Sequence, residues 1–370
     1  MYKKIFNLKL LGIILLFFFS LVAKANDTYY LSSEGYLINI DLNNFTEKGK
    51  VIAGSMPTSI ASCGNHIYFT DFSTDKLYDY DITEKKINNI DLQSLNSSDN
   101  EIKIYKEEDK IHKTPLRKAF ESIIKPKKVK KENVFNDVEE PLAISIHNKK
   151  LGLTSVACND KYIFISNTLK GKVNIVDRKK LTIINSFDTG ERPTGLSISP
   201  NGDYLAICST ALDKVFIVNA TGNFSVKNEF ETEEGPTDSI WLDNSNLAII
   251  NRGSSSLSLI NTNTKIINSI AISSPVNAIL KDKNNNLYAL SGVDNKIFEI
   301  KAGNLTANLF LELKENMDFP SILFDFDQSD KMLIGSEKDK KLIILNLKDK
   351  TIEKRIKTNF SPKVFIKNEV

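Results

Sequence analysis

The side chains best suited to metal or nucleophilic chemistry in this 370-residue chain are few: His66, His112 and His147, with Cys63, Cys158 and Cys208. Imidazoles and thiolates hold transition metals or relay protons when several converge, and convergence often shows as short fixed spacings. None of these six residues stands in such a spacing. Cys/His zinc patterns, the C-x-x-C-H of haem attachment, the G-x-S-x-G nucleophile turn, the P-loop and the dinucleotide fingerprint are absent from the sequence. No metal ligand, catalytic residue or cofactor is therefore predicted. His66, beside the apolar run Ile67-Tyr68-Phe69, reads as a turn or edge residue.

What remains is polar chemistry spread over loops: Arg192, Glu234, Asp238, Arg252, Asp71 and Asn167. Both signs of charge occur, so no single class of ligand is favoured. These residues act together only if a scaffold gathers them, so the elements that carry them decide the reading.

Those elements repeat. An apolar strand ending in a small or polar residue, Tyr68-Phe69-Thr70-Asp71, returns at Phe164 to Asn167, Ala206 to Ser209, Ala248 to Asn251, Tyr288 to Ser291 and Leu333 to Ser336. A second strand follows each across a loop rich in Asp, Asn, Ser, Gly and Lys, the chemistry of a hairpin. A proline opens most units, at Pro57, Pro193, Pro236, Pro275, Pro320 and Pro362, with Leu153 standing in once; from Leu153 onward the spacings are 40, 43, 39, 45 and 42 residues. A period near 40 leaves room for four short strands per unit and points to a closed array of sheets.

The units resemble the YVTN-type propeller repeat. The fullest match runs from Arg192 to Asn219, with Pro193-Thr194-Gly195 leading in, Pro200-Asn201-Gly202-Asp203 at the turn, and Val215-Phe216-Ile217-Val218-Asn219 closing. The resemblance implies an all-β, seven-bladed β-propeller of four-stranded blades and a surface or periplasmic role; it transfers no site residue. Six blades open between Pro57 and Pro320. The seventh is expected to combine three N-terminal strands, around Tyr29, Leu37 and Val51, with a C-terminal strand after Pro362, so that both termini share one blade. In such a ring the loops leading into each inner strand and those of the middle hairpins share one mouth, which makes Arg192, Glu234, Asp238, Arg252, Asp71 and Asn167 the expected ligand-facing set. Cys63 and Cys158 fall at nearly matching places in successive units. A bridge between them stays open, but the expectation is a pair of buried free thiols. Trp241 is read as blade packing, and Asp325 as an Asp ending a strand beside a turn.

Two segments stand outside the repeat. Residues 1–25 carry Lys3, Lys4 and Lys9 before an apolar run from Leu10 to Val22, then Ala23-Lys24-Ala25, the pattern of a signal peptide cleaved after Ala25. The expected location is periplasmic or secreted, with no membrane span after cleavage. Removing that segment takes four lysines and moves the formal charge from +3 to −1. The second is a basic insertion over residues 96–140, partly helical or disordered, within a propeller domain of residues 26–370. Between Lys110 and Lys131 its local charge is +8, so the rest of the processed chain carries −9. Thr114 can cap a helix begun by Pro115 and ended by Pro126, with Leu116, Phe120, Ile123 and Ile124 on one face. Three readings stay open: a solvated loop, docking on the acidic propeller, or contact with an anionic lipid or acidic protein surface.

The functional expectation is a non-catalytic binding or scaffold protein of the bacterial envelope that holds a protein or peptide at the mouth of the ring. The acidic body argues against nucleic acid as the partner. The alternative is a metal-dependent propeller hydrolase or lyase with its site in the central funnel.

Overall fold

The computed structural model describes residues 28–42, 44–92, 152–282, 284–314 and 330–367, and the backbone alone of Glu101–Lys103 and Ser321–Asp325. The expected signal peptide, His112, His147, the Asp325 side chain and the candidate helix of the insertion lie outside these residues.

Alternation builds the sheets. In the strand Tyr162–Asn167, Ile163 and Ile165 point to one neighbouring blade and Phe164 to the other, so both faces are buried and the strand reads as a continuous apolar run. The same holds for Tyr204–Ser209, Asn246–Asn251, Leu287–Ser291 and Lys331–Ser336. Each blade is an antiparallel meander from the channel outward. Blade 2 comprises Pro57–Cys63, His66–Asp71, Lys76–Asp81 and Lys86–Asp91; blade 3, Leu153–Cys158, Tyr162–Asn167, Lys172–Asp177 and Thr182–Asp188. Blade 4 runs from Pro193–Ile198 to Val226–Glu231, blade 5 from Pro236–Trp241 to Ile267–Ala271, blade 6 from Ala278–Lys281 to Thr306–Glu312, and blade 7 from Ser321–Asp325 to Thr351–Lys357.

Blade 1 joins the two ends of the described chain. Thr28–Ser32, Tyr36–Asp41 and Thr46–Ile52 receive their inner strand from Pro362–Lys367, in antiparallel register from Thr28 opposite Lys367 to Leu31 opposite Val364. The seven-bladed ring with shared termini is thus observed. Among the described residues, seven apolar clusters fill the seven seams, one between each pair of adjacent blades. An isolated blade would leave both faces wet, and burying one Phe or Leu gains about 2 kcal/mol, so the blades stabilise each other.

Two features go beyond the expected plan. Blade 3 has a fifth strand: Glu101–Lys103, from within the insertion, pairs in parallel along the outer strand Thr182–Asp188. The expectation of free thiols at Cys63 and Cys158 is overturned, because they form a disulfide. Both end the inner strands of adjacent blades, which brings their Cα atoms to 6.3 Å, a separation that a bridge spans. Cys208 is buried and free. No helix of the described residues is long and apolar enough to cross a membrane.

Candidate functional site

The mouth of the ring is defined by hydrogen bonds between two kinds of loop. Phe72 N donates to Met56 O, Thr168 N to Gly152 O, Thr210 N to Arg192 O and Arg252 N to Gly235 O, each joining a middle-hairpin loop to the segment leading into an inner strand. Each middle hairpin ends in a residue with positive φ: Gly35, Asp75, Gly171, Asp213, Ser255, Asn295 and Lys340. Five of these are Gly, Asp or Asn, the residues that tolerate the left-handed region best.

Below the mouth, hydroxyls stitch the inner strands of blades 2 to 5. Thr58 Oγ1 donates to Leu153 O at 3.0 Å and Thr154 Oγ1 to Thr194 O at 3.3 Å. Val156 N donates to Ser59 Oγ and Leu196 N to Ser155 Oγ, both at 3.1 Å. Ser197 and Ser239 pair at 2.6 Å, and Trp241 Nε1 donates to Ser197 O at 3.1 Å, so Trp241 is a packing residue with its one donor satisfied.

Asp71 ends the second strand of blade 2 and is fully buried. Its Oδ2 accepts from Ser55 N at 2.6 Å and Met56 N at 2.7 Å. Its Oδ1 accepts from Ser73 N and Thr74 N at 2.8 Å, and from the hydroxyls of Ser73 at 2.6 Å and Thr74 at 3.1 Å. Burial alone would raise its carboxyl, but these donors hold it below the ordinary value. Gly54 makes this possible: at φ +100° it lies so close that a Cβ would stand 2.2 Å from Asp71 Oδ2. Asn167 and Asn251 occupy the equivalent position in blades 3 and 5 and are also buried, each with an Oδ1 that has no hydrogen-bond partner.

Asp238 differs in placement. It is the one exposed residue among the described side chains of the inner strands, all others being buried or half-buried. An exposed side chain on an innermost strand opens onto the central channel, where the surrounding protein strips the carboxyl of part of its hydration. This desolvation pushes its carboxyl up to about 6, with the Ser239 N–H at 2.8 Å opposing the rise. The blades are closely apposed here, since a Cβ on Gly195 would lie 2.5 Å from Thr237 O and 2.7 Å from Asp238 Cα. Behind the strand, burial raises the Cys208 thiol, the Asp238 charge raises it further, and a contact with Ser239 opposes both. A thiol so placed stays protonated and unreactive at neutral pH.

The remaining expected residues rim the same sector. Glu234 and Arg192 are half-buried in the segments leading into blades 5 and 4. The Glu234 carbonyl accepts from Gly253 N and Ser254 N, and its Cγ occupies the space a Cβ on Gly253 would need. Arg252 is exposed on the middle hairpin of blade 5. Glu234, Asp238, Arg252 and Arg192 thus gather on the mouth of blades 4 and 5, whereas Asp71 and Asn167 are buried beneath the loops of blades 2 and 3. Among the described residues no three His, Cys, Asp or Glu side chains converge to hold a metal ion.

Two further polar groups were not legible as partners in the sequence. Arg178 reaches across the seam of the disulfide, donating to Cys63 O at 2.6 Å and to Asn159 O, Asp160 O and Tyr68 Oη at 3.2 Å. Glu34, in the middle hairpin of blade 1, accepts from Ser361 N at 2.9 Å and pairs with Lys340 of blade 7 at 2.8 Å. Burial would raise Glu34, but Lys340 and Ser361 bring it down to about 2. His66, at the start of its strand, has Nδ1 2.7 Å from Asp79 Oδ1 and stacks on Tyr68.

No family model matches the chain, and a search by sequence matches no curated protein. Solved structures do match. The periplasmic gluconolactonase of Pseudomonas aeruginosa is similar with a TM-score of 0.63 at 11% identity, over 93% of this chain and 99% of that one. A functionally unknown protein from Desulfotomaculum acetoxidans gives 0.63 at 10% identity, over 93% and 99%. Virginiamycin B lyase from Staphylococcus aureus gives 0.58 at 12% identity, over 84% and 87%. At these identities the likeness concerns the fold alone, and one propeller serves a lactonase and a lyase alike.

Proposed function

We propose that this chain is a non-catalytic binding propeller of the YVTN type, exported to the bacterial envelope, that holds a polar peptide or protein segment at the mouth of blades 4 and 5. The observation that carries this reading is the placement of Asp238 inside the channel, with Glu234, Arg192 and Arg252 on the rim of the same sector. A carboxylate in a confined channel attracts a cationic group strongly, because little bulk water screens it. Arg252, exposed on the middle hairpin of blade 5, offers a planar guanidinium donor for a carboxylate or a backbone carbonyl. Such a mouth suits a ligand bearing both charges. The N-terminal signal pattern and the periodic proline-led repeat support export and the YVTN assignment.

Selection from a displayed random-peptide library on immobilised protein tests the reading. Peptides recovered on the wild type are expected to lose at least about tenfold in affinity on Asp238→Asn and on Arg252→Glu, equivalent to about 1.4 kcal/mol. Recovery of no peptide, or of peptides indifferent to both substitutions, would overturn it. One observation favours a second reading, a funnel hydrolase or lyase: a carboxyl near 6 can hold a proton for transfer at neutral pH. A stoichiometric divalent ion in purified protein, together with lactone or ester turnover abolished by Asp238→Asn, would establish that reading in place of the first.

A further inference from the structure

The outer strands of blades 3 and 5 share a sequence. Ile183-Ile184-Asn185-Ser186 recurs as Ile266-Ile267-Asn268-Ser269, and the two stretches hold equivalent places in their sheets. Ser186 lies opposite Asn174 and Phe187 opposite Val173 on the third strand of blade 3; Ser269 lies opposite Ser258 and Ile270 opposite Leu257 on that of blade 5. On blade 3 this edge is covered, because Glu101–Lys103 runs parallel to it with Glu101 opposite Ser186, Ile102 opposite Phe187 and Lys103 opposite Asp188. Ser186 is 2% exposed there. On blade 5 Asn268, Ser269 and Ala271 are all exposed, with Ile266 at 54% and Ile267 at 39%.

An uncovered outer strand is a row of unpaired backbone donors and acceptors, which proteins blunt with charges or with a bulge. The other exposed outer strands follow that rule. Thr46–Ile52, Val226–Glu231, Thr306–Glu312 and Thr351–Lys357 all carry charge and a register shift, and Lys86–Asp91 is bracketed by its own Lys86 and Asp91. Ile267–Ala271 has neither device: it pairs with Ser256–Asn261 without a shift, and no charged residue stands between Lys265 and Lys281. Blade 6's outer strand lies alongside and adds exposed Leu309, at 54%, to the apolar surround.

We propose that the outer edge of blade 5 is a docking site for an extended segment of a partner polypeptide, added as a parallel fifth strand with an apolar residue flanked by charged ones. The chain's own Glu101-Ile102-Lys103 on the matching edge of blade 3 supplies the pattern. A parallel strand favours a separate segment over a second copy, since continuing a sheet across a two-fold axis pairs equal edges antiparallel. Strand addition draws its affinity from main-chain hydrogen bonds and its specificity from alternate side chains. The site lies on the rim and does not depend on the mouth.

The probe is a labelled peptide of residues 98–106, Ser98 to Lys106, added to the full chain, whose blade 3 edge is already filled. Backbone hydrogen exchange read by mass spectrometry is expected to slow roughly tenfold over Ile267–Ala271 at millimolar peptide. Ser269→Lys, an exposed substitution with an expected unchanged melting transition, should abolish both binding and protection. No slowing there, slowing confined to Thr182–Asp188, or binding indifferent to Ser269→Lys would overturn the proposal. Peptide-free dimerisation removed by Ser269→Lys would also overturn it, because a second copy would then be the occupant.

Discussion

Asp71 and Asp238 belong to the same mouth of the same ring, yet their surroundings drive them in opposite directions. Around Asp71, in blade 2, six donors close on one buried carboxylate and hold its proton affinity down. Around Asp238, in blade 5, one backbone N–H faces a carboxylate in a confined channel, and its proton affinity is pushed up to about 6. The first residue is consumed in holding two loops together; the second, exposed on an inner strand, accepts from the Ser239 N–H. Blades 2 and 3 carry the structural contacts: the saturated Asp71 at the mouth and, at the opposite ends of their inner strands, the disulfide and the Arg178 clamp. On the proposed function, blades 4 and 5 form the binding side of the mouth.

Substitutions can break that contrast, and the largest effect is expected from the ring itself. Deleting residues 361–370 removes the inner strand of blade 1 and one side of the aromatic contact between Tyr30 and Phe365. The cooperative melting transition should be lost or fall well below that of the full chain, as read by calorimetry; an unchanged transition would contradict closure by the termini. On the structural side, Asp71→Ala strands the Ser55, Met56, Ser73 and Thr74 donors beneath the mouth. It should cost about 3–4 kcal/mol in denaturant unfolding. The paired change Cys63→Ala with Cys158→Ala should cost about 2–3 kcal/mol, since the bridge closes a loop spanning 95 positions.

Smaller effects sharpen the picture. Glu34→Gln weakens the seam between blades 7 and 1 by about 1–2 kcal/mol, discounted for its partial exposure. Because Glu34 is lowered from 4.5 to about 2, its contribution is present above pH 4.5 and lost as pH falls towards 2. Urea melts of wild type and Glu34→Gln should therefore converge at the acid end. Asp238 carries the opposite sign. Its carboxyl is raised from 3.8 to about 6, so ionising it costs the fold stability as pH rises between those values. Asp238→Asn should match wild type below pH 3.8 and melt slightly higher above pH 6, in contrast to Asp71→Ala, which destabilises throughout the neutral range.

Periodic features were legible in the sequence; environments were not. The leading prolines, the apolar strands and their hairpins fix seven blades because a strand buried on both faces leaves a continuous apolar run at every repeat. The shared blade follows from counting strands at both ends. Asp71 and Asp238 look alike as letters, and only the chain path shows that Gly54 brings amides onto one while Gly195 and Thr237 crowd the strand of the other. The disulfide needed a Cα separation that spacing in sequence does not supply. The fifth strand of blade 3 hides in a charged insertion, and a parallel partner without a hairpin turn leaves no local signal.

The contrast between the two carboxylates is tested most directly by a carbon-13 carboxyl titration of aspartate-labelled protein, with peaks assigned by their loss in Asp238→Asn and Asp71→Asn. Asp238 should titrate near 6, and Asp71 should remain ionised below the ordinary aspartate range. Two ordinary midpoints, or a lowered Asp238 beside a raised Asp71, would contradict the division of the mouth into a structural and a binding side.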